Sequence, residues 1–172
     1  LVSLNGNEKI VEGPAAPVIV DRKDGVAQYK AFGRLGGKIA NLTGPTTPNI
    51  FADTYKQNLA SSLQTTEELG ELMAGTTLAT SFGSGKLAQQ LEKVAKVLKF
   101  RASMGVDRLG FVTSLGGFDT HFDDGIILAE LMSEMDTALG SFVTELKQQG
   151  IWENVTLVTI SVAPPIAMAS CC

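Results

Sequence analysis

Two β-branched runs flank a long stretch of helical period, and that succession constrains this chain more than any other feature. Leu109–Leu115 reads Leu-Gly-Phe-Val-Thr-Ser-Leu, and Val155–Ser161 reads Val-Thr-Leu-Val-Thr-Ile-Ser. Between them, Ile126 to Gln149 places Leu128, Leu131, Met135, Leu139, Phe142 and Leu146 on one helical face. Strand, helix, strand predicts a βαβ unit with parallel strands and a right-handed crossover. The fold class it implies is α/β, a mostly parallel sheet with helices on both faces. Ligands in such sheets sit beyond the C-terminal strand ends. That directs attention to residues 116–124 and to whatever follows Ser161.

The rest of the chain reads as one partial domain. Residues 1–47 are punctuated by Gly and Pro and read as irregular, with short strands at Leu1–Leu4 and Val18–Val20. Residues 49–104 form a helical segment. In its first half Phe51, Tyr55, Leu59 and Leu63 recur at helical spacing. After a Thr-, Ser- and Gly-rich linker at 75–85, Lys86 to Met104 is the clearest helix. Leu87, Leu91, Val94, Leu98 and Ala102 make its apolar stripe, Ser84 is the expected N-cap, and Gly105 suits the C′ position. Residues 109–161 are the βαβ unit, with Trp152 expected to pack over its sheet. Residues 162–172 read as an aberrant tail.

Composition excludes several functions. Fourteen Lys and Arg against eighteen Asp and Glu give a net charge of −4. With no basic stripe, the chain is a poor nucleic-acid binder. Its only cysteines, Cys171 and Cys172, cannot make a disulfide framework or a Cys-based zinc cluster. No apolar run is long enough to span a bilayer. Gly85-Lys86 and Gly37-Lys38 lack the spacing of a phosphate-binding loop, and Ser84 lacks the strand–turn–helix setting of a nucleophile elbow.

One segment can carry chemistry: Gly116-Gly117-Phe118-Asp119-Thr120-His121-Phe122-Asp123-Asp124. It alone brings a carboxylate near His121, the single imidazole of the chain. Residues two apart in an extended loop point the same way, so Asp119 and His121 can share a divalent metal. Zinc, manganese and calcium all suit such a pair. In the alternative reading, Asp119 caps a turn and His121 is an ordinary loop side chain. Asp123 and Asp124 read as helix N-terminal residues.

The same residues carry a resemblance. Phe82-Gly83-Ser84-Gly85-Lys86-Leu87-Ala88-Gln89-Gln90-Leu91, Val112-Thr113-Ser114-Leu115-Gly116-Gly117-Phe118-Asp119-Thr120-His121 and Gly150-Ile151-Trp152-Glu153-Asn154-Val155-Thr156-Leu157 resemble the group called domain of unknown function 1501. These are mostly bacterial, often exported proteins of the alkaline phosphatase and sulfatase superfamily. The resemblance spans about residues 81–161. It implies an alkaline-phosphatase-like core, here incomplete, with Asp119 and His121 as metal ligands. It also implies a small anionic ester, phosphate or sulfate, as substrate, and a secreted or periplasmic parent protein. Members continue after the second strand with Asp-Phe-Gly-Arg-Thr and add a later His-bearing segment. Here Ser161 is followed by Val162-Ala163-Pro164-Pro165. The expectation is therefore a central fragment of a metal-dependent hydrolase-like protein, inactive alone. The alternatives are a non-catalytic extracellular binding module and a truncated, non-functional gene product.

Overall fold

A computed structural model describes residues 2–4, 18–21, 25–26, 29–105, 108–119 and 124–160. These residues are mostly helical, which corrects the α/β expectation. Four helices dominate: α1 (Phe32–Thr43), α2 (Ile50–Gly75), α3 (Lys86–Lys99) and α4 (Asp124–Gln148). Strand is confined to β1 (Val2–Ser3), β2 (Val18–Asp21), β3 (Gly25–Val26) and β4 (Phe111–Val112). β1 runs parallel to β2 and to β4, and β2 runs antiparallel to β3. Each junction holds two residue pairs, so this is a seam, not a layer for helices to cover.

The predicted βαβ unit does not form. Of Leu109–Leu115, only Phe111 and Val112 lie in a strand. Residues 155–160 belong to no strand, and Val158 and Ile160 are 74% and 77% exposed. A β-branched run becomes a strand only when a neighbour takes its hydrogen bonds. The described residues offer 156–160 none. Trp152 accordingly packs over no sheet: it opens a 3-10 turn and leans, half-buried, on the main core.

That core is built by α3 against α4. Leu87, Leu91, Val94 and Leu98 of α3 are buried with Ala138, Phe142 and Leu146 of α4. Ala88, Ala95, Val97 and Phe100 belong to the same cluster, and Leu4, Val20, Val26, Leu69, Met73 and Ile151 complete it. The two stripes therefore find each other instead of a sheet. Two predicted inward positions are exposed: Ala102, which falls in a 3-10 turn after α3, and Leu128, near the start of α4. Gly105 ends the turn at φ 60°, the left-handed value that suits glycine.

Polar tethers lock the helix pair. Glu145 is 1% exposed; its carboxylate accepts from the backbone N–H of Ala79 at 3.1 Å and Thr80 at 2.7 Å, and from Gln149 Nε2 at 2.9 Å. Burial pushes this carboxyl up, but the donors of Gln149, Thr80 and Ala79 outweigh it and hold the group below the usual glutamate range. Ser84 does not cap α3. Gly85 occupies the N-cap with no side-chain bond, and Glu134 of α4 instead accepts from Leu87 N at 3.2 Å. A Cβ on Gly85 would lie 2.8 Å from Glu134 Oε1, so the glycine lets that carboxylate approach.

α1 lies inside the segment expected to be irregular. Gly33, Gly36 and Gly37 are poor helix formers, yet all three lie in its interior. α2 begins as its sequence suggests: the Asn49 side chain accepts from Phe51 N at 3.0 Å and Ala52 N at 3.3 Å. Of its periodic apolar residues Phe51, Tyr55 and Leu59 are exposed, Phe51 by 84%, and Leu63 is half-buried beside α1; only Leu69 and Met73 near its end are buried.

Candidate metal site

The site loop leaves β4 and is pinned at its root by a side chain of α3. Gln90 is 3% exposed; its Nε2 donates to Ser114 O at 2.8 Å, and its Oε1 accepts from Ser114 N at 2.9 Å. One amide thus supplies the donor and acceptor that a neighbouring strand would have supplied. The residue sits within the apolar stripe of α3, three after Leu87 and four before Val94. A polar side chain at an inward position was the readable signal for this clamp.

Beyond Ser114 the chain turns through Gly116 and Gly117. Gly117 takes φ 104°, a region that side-chain-bearing residues rarely adopt, and it approaches Leu131 of α4. Phe118 and Asp119 follow and are exposed. Asp119 is thus presented at the surface, five residues from the clamp. His121 and Asp123 lie outside the described residues, as do Cys171 and Cys172; Asp124 opens α4. Among the described residues, no three His, Cys, Asp or Glu side chains converge as a metal cage would require.

A second feature lies beside β4 and has no counterpart in the sequence pattern. A cleft of about 850 Å³ opens between α3, residues 108–113 and residues 154–158. Leu91, Leu98 and Phe142 line it, and among the described residues Arg101 and Arg108 are its charged ones, with no carboxylate. Arg101 Nη1 donates to Leu98 O at 2.9 Å, which holds that guanidinium at the cleft. Two arginines lining one cleft in an acidic chain leave no local sequence signal, because six residues and a helix end separate them.

No family model, no curated protein and no solved structure matches the chain. No helix among the described residues is long and apolar enough to cross a membrane.

Proposed function

We propose that this chain carries part of a metal-dependent, ester-hydrolase-like site, with Asp119 and His121 as two ligands of one divalent cation. The observation that carries this reading is the Gln90 clamp. A buried amide both donates to and accepts from the backbone of Ser114, at the root of the one loop that joins a carboxylate to the only imidazole. The resemblance of residues 112–121 to the domain of unknown function 1501 group supports the same assignment. A cation held there would polarise the oxygen of a phosphate or sulfate ester. Two side chains do not fix a catalytic coordination geometry, so no turnover is expected from this chain by itself.

Calorimetric titration of the metal-free chain with Zn²⁺, Mn²⁺ or Ca²⁺ tests the assignment. Weak, saturable uptake is expected, and Asp119→Ala or His121→Ala should abolish it. Equal binding by both variants and the parent chain would refute it. An aryl phosphate and an aryl sulfate should both stay intact; saturable hydrolysis lost on His121→Ala would contradict the expected inactivity.

A non-catalytic binding module is the second reading. The apolar cleft with its two arginines favours it, since neither arginine is needed by the metal loop.

A further inference from the structure

Val155 donates its N–H to Trp152 O at 3.1 Å, and from Thr156 to Ile160 the chain makes no further hydrogen bond to the described residues. Among the described residues this is a five-residue stretch of unpaired backbone in β-branched sequence, and Thr156, Leu157 and Val158 of it line the 850 Å³ cleft. Residues 108–111 and Thr113 line it as well, and of these only Phe111 belongs to a strand. Unpaired N–H and C=O groups in a row are a template for strand addition. Main-chain bonds would supply affinity and the groove between them would select side chains.

Charge chooses the occupant. Among the described residues the cleft carries Arg101 and Arg108 and no acidic residue, although the whole chain is at net −4. Arg108 is exposed and makes no hydrogen bond or ion pair with the described residues. A guanidinium in this position suits a carboxylate, which it can grip with two parallel bonds. A second copy of Val155–Ile160 brings no charge and would leave both arginines unanswered. A fatty acid would answer the arginines and leave the backbone unpaired.

We propose that this cleft receives an extended peptide segment of another protein. The segment is added as a β-strand alongside Val155–Ile160, apolar at alternate positions and acidic where it meets Arg101 and Arg108. The site is separate from the metal loop, and its fate does not depend on that assignment.

The test is fluorescence polarisation with a labelled hexapeptide alternating valine and threonine and ending in aspartate, at low ionic strength. Saturable one-to-one binding is expected. Arg108→Glu should weaken it about tenfold or more, the scale of one lost charge-assisted hydrogen bond. Arg101→Ala should weaken it as well. Methylating alternate peptide nitrogens, which removes the strand-pairing donors, should abolish binding, and a lysine-ended peptide should not bind. The metal-site variant Asp119→Ala should bind the peptide like the parent chain. The proposal fails if the peptide does not saturate, if the N-methylated peptide binds as well, or if Arg108→Glu is without effect. It also fails if laurate binds competitively and as tightly as the peptide, or if sedimentation shows the cleft closed by a second copy of the chain.

Discussion

The α3–α4 pair and the α1–α2 pair are both helical, yet they are held in opposite ways. α3 buries eight of its fourteen residues, and α4 sets Ala138, Phe142, Glu145 and Leu146 against them. α1 buries none of its twelve, and α2 buries two of twenty-six. Local chemistry holds α1 and α2: the Asn49 cap, the Asp53–Lys56 ion pair at 3.5 Å, and Tyr29 N bonded to Glu67 at 3.0 Å. Each such contact in water is worth about 1 kcal/mol or less. Helices gain most of their stability from burying an apolar face. The comparison teaches that helical pattern sets where a helix forms, while burial sets how firmly it stays.

Substitutions can break this comparison from its strong side. Leu146 is 0% exposed, so Leu146→Ala should cost about 2–5 kcal/mol, read as a fall in the urea midpoint. Gln90→Ala should cost about 1–3 kcal/mol, because it strips both partners from Ser114. The same change should weaken cation uptake by the loop, whereas Gln90→Glu can keep one of the two bonds and lose less.

Glu145→Gln sharpens the comparison through pH. The folded carboxyl ionises below the ordinary glutamate range, so the folded state favours the charged form. Its stabilisation is fully present above that range and is lost as pH falls through the lowered folded value. The difference in urea midpoint between parent chain and variant should thus be level at neutral pH and shrink in acid. A difference that grows on acidification would reverse the assigned shift.

On the weak side, effects should be small. Phe51→Ala and Tyr55→Ala remove exposed rings, and each should change stability by about 0.5 kcal/mol or less. A loss as large as that of Leu146→Ala would mean that the outer face of α2 is covered in solution.

The legible parts were those written in local signals. The stripe of α3, the glycine after it and the start of a helical segment at residue 49 are legible because periodicity and breakers lie within a few residues of each other, whereas the cap expected at Ser84 is not used. Phe51 and Tyr55 show the limit: period places residues on a common face and is silent on what that face meets. α1 was masked by Gly33, Gly36 and Gly37, whose propensity cost is about 1 kcal/mol each and was overridden. Val155–Ile160 has strand composition, but a strand is a property of a pair, and its partner was not written in its own residues. Of the pair proposed to bind metal, Asp119 lies exposed beyond Gly117, while His121 lies outside the described residues. The clamps made by Gln90 and Glu145 were readable only as polar residues intruding on apolar stripes.

Native-state hydrogen exchange, read amide by amide, tests most directly whether α3–α4 is the firm unit and α1–α2 the loose one. Amides of 91–98 and 138–146 should be the slowest in the molecule, and those of 32–43 and 50–62 should exchange orders of magnitude faster. Equal protection in both pairs would contradict this division of the molecule.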